Sequence, residues 1–339
     1  MFPESFEKII ENNNIPISVS FELTYKCNQK CLFCYQPSPH SSDGEMGTEK
    51  VKDVLRELAL EGTLFLSLTG GEPLSRPDFW EIARYARSLK FALTLQTNGT
   101  LIDRRTAEKL RALGFFQAHI SLLGQSAATH DALTGMDGAF VRATGAIKLL
   151  KRAGLTVLTK TTVVKGNAAE LGKIQELAEE LGAAPIFSHT VFPGGGFCKT
   201  PIEHRISDDD MRGVVRFLSS DGGGPDEFNI ERDTDGPVCF AGRTEACVTP
   251  TGLVQPCVGF FMPIGDLNKN TFREIWTGSG RLNEFRALKV RSYGGCGECG
   301  LLSLCEVCPG MGFMENGSLL GPSPENCRAT RILKEVIHG

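Results

Sequence analysis

Six strand-like segments alternate with helix-like segments along residues 17–191, and this alternation limits the possible folds more than any other property of the chain. The strands, rich in β-branched and apolar residues, are predicted at 17–24, 63–69, 91–97, 116–123, 155–164 and 183–191. The helices between them are predicted at 48–60, 76–90, 103–114, 139–154 and 168–182. Strands joined through helices pair in parallel, and right-handed crossovers curl the sheet. The pattern therefore predicts an α/β fold built on a partial (β/α)6 TIM-type barrel, with its active site at the carboxyl ends of the strands.

The twelve cysteines are placed unevenly along the chain. Three lie within residues 27–34, one is Cys198 on a Gly-rich segment, and the others fall between Cys239 and Cys327. The opening residues lack the basic and apolar regions of a secretory signal, which favours a cytoplasmic protein. In a reducing compartment, so many thiols indicate metal ligands rather than disulfides.

Composition and charge argue against nucleic acid and membrane as partners. The net charge of -4 and the pI of 5.9 give no basic field for nucleic acid. No apolar run reaches the roughly 18–20 residues that span a bilayer.

Gly- and Pro-rich segments and the late cysteines suggest a three-part organisation. We predict a barrel over residues 1–205, a bridging helix and Gly-rich linker over 206–232, and a small Cys-rich metal-cluster domain over 233–339.

The first cysteine group reads Cys27-x3-Cys31-x2-Cys34 and begins three residues past the first predicted strand. Three thiolates from one loop suit three corners of an iron–sulfur cube, which leaves the fourth iron open to an exchangeable ligand. A zinc knuckle with a distant fourth ligand is the alternative, and the spacing alone leaves both open.

This motif resembles the signature of the radical S-adenosylmethionine (radical SAM) enzymes. Further matching residues follow in the family's order at successive strand ends: Gly70, Gly71, Glu72 and Pro73 (GGEP), Thr97 and Asn98, Ser121, His130 and Asp131, and Lys160. The resemblance implies that Cys27, Cys31 and Cys34 hold a [4Fe-4S] cluster whose open iron binds the methionine moiety of SAM. It covers essentially the whole chain.

The resemblance also implies roles for the other matching residues. The GGEP segment would meet the methionine amino group, with the Glu72 carboxylate facing the ammonium. Ser121 would contact the ribose, and Tyr35 would shield the adenine or the cluster, with simple packing as its alternative. Two positions depart from the family pattern: Leu123 replaces an aspartate, and Thr134 replaces an arginine that pairs with the SAM carboxylate in relatives. Lys160 is a candidate for that partner.

The later cysteines resemble the SPASM extension, which carries two auxiliary [4Fe-4S] clusters in several radical SAM enzymes. By this resemblance Cys239, Cys247, Cys257 and Cys308 would hold the nearer cluster, and Cys296, Cys299, Cys305 and Cys327 the outer one. The gap between Cys305 and Cys308 is one residue shorter than usual. Zinc ribbons are the alternative for these C-x2-C pairs. Cys198 matches no ligand, and an inert thiol is its default.

The resemblance implies hydrogen abstraction from a peptide or small-molecule substrate, with ribosomal peptides favoured. Few residues precede the first strand, so we expect a separate leader-peptide-binding protein, together with flavodoxin or ferredoxin as electron donor. Val258 stands where sulfatase-maturing enzymes have an aspartate, which counts against that activity. Tetrapyrrole side-chain modification is the alternative substrate class, and a non-catalytic iron–sulfur electron carrier is the alternative from a different class.

Overall fold

The computed structural model describes residues 3–37, 41–220 and 233–338. The strands are β1 (Ser18–Glu22), β2 (Phe65–Thr69), β3 (Ala92–Thr97), β4 (Gln117–Ser121), β5 (Thr156–Thr162), β6 (Ala184–Ser188), β7 (Glu245–Val248), β8 (Leu253–Gln255) and β9 (Gly265–Asp266). The helices are α1 (Glu4–Asn12), α2 (Thr48–Leu60), α3 (Phe79–Ser88), α4 (Arg104–Ala112), α5 (Ala127–Thr134), α6 (Ala139–Arg152), α7 (Leu171–Glu180), α8 (Asp208–Ser220), α9 (Phe272–Gly278), α10 (Gly280–Ala287), α11 (Pro309–Asn316) and α12 (Pro324–His338). None of the described helices is long and apolar enough to cross a membrane.

The six predicted strands form one parallel sheet, so the predicted fold class is confirmed. They are ordered β6-β5-β4-β3-β2-β1, each pairing in parallel with its neighbour. A helix follows each of the first five strands, as expected for right-handed crossovers. The carboxyl ends of all six strands therefore lie along one rim.

Alternate residues of each strand face opposite sides of this sheet. The outer face is apolar, with Phe21, Leu68 and Leu95 packed in one core with Leu55 of α2 and Ile147 of α6. The strand register places a second set of side chains on the inner face of the partial barrel. This inner face comprises Ser18, Ser20, Glu22, Phe65, Ser67, Thr69, Ala92, Thr94, Gln96, Gln117, His119, Ser121, Thr156, Leu158, Lys160, Thr162, Ala184, Ile186, Ser188, Glu245 and Cys247.

The Cys-rich region continues the barrel sheet. β7 pairs in parallel with β1, with Ser20 opposite Cys247, and β8 and β9 follow in antiparallel order to complete nine strands. The predicted boundary between residues 205 and 233 therefore does not interrupt the sheet.

The bridging helix packs against the end of the chain. Met211 and Val214 of α8 contact Ile332 of α12 in a separate apolar cluster, and Arg328 of α12 pairs with Asp208 at 2.6 Å. The Ser207 hydroxyl accepts from the Asp210 N–H at 3.1 Å, which is a cap at the helix N-terminus. The predicted linker over 221–232 lies outside the described residues.

The His130 and Asp131 pair organises the segment between β4 and α6. Nδ1 of His130 accepts from the Leu123 N–H at 3.1 Å, and the imidazole is fully buried. The Asp131 carboxylate accepts from the N–H groups of Gly138 and Phe140, both at 2.7 Å, where α6 begins. These two residues therefore hold the backbone in place rather than facing the strand rim.

Burial of His130 predicts a measurable loss of stability in mild acid. Burial lowers the pKa of His130 from 6.5 to about 4. As pH falls through 6.5, the unfolded chain gains this proton before the folded chain does, so the free energy of unfolding falls. We expect this residue to remove about 1.3 kcal/mol between pH 7.5 and 5.5. Urea unfolding of the wild type and of His130→Gln at both pH values measures it, and equal pH dependence in the two proteins would contradict it.

Candidate active site

The three N-terminal thiols lie on the loop that leaves β1 at the rim. Sγ of Cys27 accepts from the Gln29 N–H at 3.4 Å and lies 3.8 Å from the Asn98 amide nitrogen. The Cys31 thiol lies 3.7 Å from Oε1 of Gln29. Burial, followed by the negative charges of Cys34 and Cys27, raises the pKa of Cys31 to about 12. The three thiols therefore lie close enough to influence one another's ionisation.

The end of α5 holds this cysteine loop in position. The N–H groups of Lys30 and Leu32 donate to the carbonyls of Thr134 and Leu133, at 2.8 and 3.1 Å. Gly135 ends the helix with φ of +61°, and a Cβ there would lie 2.8 Å from the Lys30 carbonyl oxygen. A larger residue would displace the loop between the first two thiols.

The two glycines of the GGEP segment also pack against the entrance to the cysteine loop. A Cβ on Gly70 would lie 2.3 Å from the Thr24 carbonyl oxygen, and one on Gly71 would lie 2.5 Å from that of Lys26. The Gly71 N–H donates to Thr24 at 2.7 Å. Close approach to residues 24–26 thus accounts for both glycines without reference to a ligand.

The Glu72 carboxylate is buried and fully engaged by the protein. It accepts from the Thr97 hydroxyl at 2.7 and 2.8 Å, the Asn98 N–H at 2.9 Å and the Leu74 N–H at 3.0 Å. Burial raises the pKa of Glu72 to about 7, while these hydrogen bonds oppose the increase. Glu72 and Thr97 therefore join the ends of β2 and β3. The contact between this carboxylate and the ammonium group of SAM stays a prediction.

Replacing Glu72 by glutamine is expected to lower the free energy of unfolding by about 2 kcal/mol, because the amide NH2 would face a buried N–H donor. Urea unfolding measures the change. Glu108→Gln, on the exposed surface of α4, is the control and should change stability by less than ~0.5 kcal/mol. Unchanged stability with a tenfold higher KM for SAM would instead indicate direct contact with SAM.

The remaining predicted side chains on β3, β4 and β5 line the inner face and its rim. The Asn98 amide donates to Oδ1 of Asn28 at 2.8 Å and points towards Cys27. Ser121 pairs in register with Lys160, whose ammonium donates to Oε1 of Gln96 at 3.0 Å. The structure thus brings Asn98, Ser121 and Lys160 to the same side of the sheet as the three thiols.

Tyr35 connects the two cysteine-rich regions. Its ring lies 5.9 Å from that of Phe261, four residues beyond Cys257. The Gly195 N–H, on the loop after β6, donates to the Tyr35 carbonyl at 3.0 Å. These contacts correspond to the packing alternative for Tyr35.

The electrostatic interactions among the later cysteines follow the two predicted ligand sets. In the first, burial and then the charge of Cys308 raise the pKa of Cys257, and Cys239 adds to this effect. Burial also raises the pKa of Cys247, to which the charges of Glu22 and Cys257 contribute. In the second group burial raises the pKa of Cys296, and the charges of Cys327, Cys305 and Cys299 raise it further. A small cavity of about 20 Å³ is lined by Cys296, Cys305 and Cys327 of one predicted set and by Cys308 of the other.

Comparison with known proteins identifies the family. The radical SAM superfamily model matches residues 21–181, and the SPASM iron–sulfur cluster-binding domain matches residues 239–300. The AdoMet-dependent heme synthase of Methanosarcina barkeri is 32% identical, with 93% of this chain and 97% of that protein covered. The mycofactocin maturase MftC of Mycobacterium tuberculosis is 30% identical, with 95% and 86% covered.

The chain belongs to the radical SAM superfamily.

Solved structures share the fold of this radical SAM protein at lower identity. Streptococcus suis SuiB bound to precursor peptide SuiA superposes with a TM-score of 0.74 at 18% identity, covering 95% of this chain and 78% of SuiB. Native anSMEcpe with bound AdoMet gives 0.74 at 20% identity, covering 95% and 97%.

As a radical SAM enzyme with a SPASM region, the protein uses a [4Fe-4S] cluster with SAM and auxiliary iron–sulfur clusters. Its arrangement fits these groups. The Cys27 thiol lies beside Asn98, and the buried Nε2 of Gln29, on the same loop, has no hydrogen-bond partner among the described residues. Each later group supplies four thiols, the number of irons in one cube.

Part of the inner face was not identified from the motifs. Ser67, Gln96 and His119 belong to no family motif, yet they occupy neighbouring positions beneath the rim. The available signal was the alternation within β3 and β4, where Thr94, Gln96, Gln117 and His119 alternate with buried apolar residues.

Proposed function

We propose that Cys27, Cys31 and Cys34 hold the SAM-binding [4Fe-4S] cluster at the rim of the partial barrel. When bound, the reduced cluster supplies the electron that cleaves SAM, and the resulting 5'-deoxyadenosyl radical abstracts a hydrogen atom from the substrate. The protein holds the cysteine loop through α5 and positions Asn98 beside Cys27. Burial of the site by the surrounding loops keeps water from the reacting carbon.

The proposed SAM site extends along the rim from the GGEP segment to Ser121. With its carboxylate engaged by Thr97 and Asn98, Glu72 acts here as a positioning residue for the end of β3. Ser121 remains the proposed ribose contact. It lies on the inner face of the partial barrel, at the rim that also carries the cysteine loop.

The proposed auxiliary ligand sets are the two groups of thiols described above. Cys239, Cys247, Cys257 and Cys308 hold one cluster, and Cys296, Cys299, Cys305 and Cys327 hold the other. In both groups the thiols within each set influence one another electrostatically, which supports this division. Residues 233–339 serve as the auxiliary-cluster domain, residues 1–205 as the radical SAM core and 206–232 as the connection.

The enzyme modifies a ribosomal peptide or protein by oxidative hydrogen abstraction. The polar side chains of the inner face, among them Ser67, Gln96 and His119, carry this proposal, because they can form hydrogen bonds with peptide groups. The relationship to mycofactocin maturase also supports it. A flavodoxin or ferredoxin supplies the electron, and a separate protein holds the leader peptide.

Tetrapyrrole side-chain modification is the second candidate, and a specific observation favours it. The heme synthase of Methanosarcina barkeri is 32% identical over nearly its whole length, and the Fe-coproporphyrin III synthase of the same organism is 32% identical over 66% of this chain.

A parallel assay separates these candidates. Anaerobically reconstituted enzyme, reduced with dithionite, receives SAM and either synthetic peptides encoded beside its gene or iron coproporphyrin III. Mass spectrometry then measures 5'-deoxyadenosine and the mass change of each substrate. A peptide that loses hydrogen in step with 5'-deoxyadenosine formation supports the proposal. Modification of the tetrapyrrole alone would overturn it, and intact clusters without any 5'-deoxyadenosine would point to an electron carrier.

A further inference from the structure

Tyr293 lies where the segments that carry the two predicted auxiliary ligand sets meet. Its side chain is 1% exposed and belongs to a small apolar cluster. This cluster contains Val238 and contacts Val307, each of which directly precedes a thiol of the nearer set. Cys296, the first thiol of the outer set, also packs against it. One aromatic ring therefore adjoins segments from both sets.

The hydroxyl of Tyr293 is buried and has no hydrogen-bond partner among the described residues. The backbone of the same residue is bonded on both sides. Its N–H donates to the Val290 carbonyl at 3.2 Å, and its carbonyl accepts from the Cys296 N–H at 2.9 Å. Because a buried hydroxyl without a partner costs free energy, folded proteins rarely leave one unpaired. The hydroxyl is thus held in place to meet a group that the described polypeptide does not supply.

Tyr293 also contributes to the wall of the small cavity beside the later cysteines. Two other polar side chains line this cavity, those of Ser323 and Asn326. The Ser323 hydroxyl donates to the Glu315 carboxylate at 2.6 Å, and the Asn326 amide donates to the Glu306 carbonyl. The remaining polar side chains of the wall are thiols: Cys296, Cys305, Cys308 and Cys327. Thiolates that ligate iron accept hydrogen bonds and donate none, so they match the hydrogen of a phenol.

Electrostatic interactions place the phenol near thiols of both sets. Burial raises the pKa of Tyr293, and the negative charges of Cys239, Cys308 and Cys296 raise it further. The phenol therefore stays protonated at neutral pH, and its hydrogen is available to a sulfur.

We propose that the Tyr293 hydroxyl donates a hydrogen bond to a thiolate sulfur of an auxiliary cluster and raises the reduction potential of that cluster. Reduction adds negative charge, and a hydrogen bond to sulfur stabilises the added charge. Since the bond acts on one cluster, it changes the difference in potential between the two, which governs electron transfer from one to the other. This inference rests on the proposed function and its auxiliary ligand sets.

Tyr293→Phe tests the inference because it removes the hydroxyl and keeps the ring. Redox titration of the anaerobically reconstituted holoenzyme, monitored by electron paramagnetic resonance, measures the potential of each cluster. We expect reduction of one auxiliary cluster to become less favourable by roughly fivefold or more in the equilibrium constant. The SAM-binding cluster, recognised because its signal changes when SAM is added, should be unaffected. Tyr85→Phe on α3 deletes the same atom and is the matched control, with all potentials unchanged.

Electron–nuclear double resonance tests the hydrogen bond itself. Reduced wild-type protein, compared in H2O and D2O, should show an exchangeable hydrogen coupled to an auxiliary cluster that Tyr293→Phe lacks. A smaller shift in both auxiliary potentials, or the same exchangeable hydrogens in both proteins, would overturn the inference and leave water as the partner of the hydroxyl. Wild-type protein with about four irons per chain instead of about twelve would refute the auxiliary ligand sets themselves, and the inference with them.

Discussion

Cys31→Ser should abolish 5'-deoxyadenosine formation, with a decrease of more than a thousandfold. The remaining two thiols cannot hold a site-differentiated cube, and without it SAM has no iron to bind. Burial, followed by the charges of Cys34 and Cys27, raises the pKa of Cys31, so both other thiols act on it. The loss should be specific to SAM cleavage, because the later thiol groups lie in a different segment of the chain.

Iron analysis and 5'-deoxyadenosine formation by the anaerobically purified variant provide the measurement. Three cubes contain about twelve irons per chain, and the variant should keep about eight. Cys198→Ser is the matched control, because Cys198 is exposed on a loop where its thiol lies 3.6 Å from the Thr200 hydroxyl. It should retain full iron and activity. A Cys31→Ser protein that still cleaves SAM would show that this thiol is not a cluster ligand.

Cys308→Ser should separate SAM cleavage from product formation. Cys308 stands at the start of α11, where its sulfur accepts from the Met311 N–H at 3.4 Å, and its charge acts on Cys239 and Cys257. Losing it leaves that group with three thiolates. We expect at least a tenfold decrease in modified substrate, while 5'-deoxyadenosine formation without substrate persists, because the first cluster is untouched.

The same variant should also be less stable, because this thiol group ties α11 to the β7–β8 hairpin beside the barrel. A loss of about 2 kcal/mol would lower the Tm by roughly 3 °C in a chain of this size. Differential scanning calorimetry under anaerobic conditions, with Cys198→Ser again as control, measures it. Undiminished iron content and Tm in Cys308→Ser would assign this thiol a role outside the clusters.

Much of this protein followed from local patterns in its amino-acid sequence. Runs rich in β-branched and apolar residues predicted the six strands, because strand preference is set by neighbouring residues along the chain. The spacing of the cysteines over 27–34 is likewise a local property, because all three lie on one loop. The family motifs predicted the SAM-binding residues at the rim and the division of the later thiols into two ligand sets. The role of each individual ligand remains a prediction.

Contacts between distant segments depended instead on how the sheet closes. β7 joins β1 across more than two hundred residues, and no local pattern specifies that pairing. The GGEP motif identified the Glu72 carboxylate. Its hydrogen bond with Thr97, however, depends on the end of β3 lying beside it in the folded sheet. The hydrogen bonds that join Lys160 to Gln96 and Gln96 to Ser67 form only because the register aligns strands β5, β3 and β2. Local periodicity is encoded by adjacent residues, whereas register and closure arise from burial shared over the whole core.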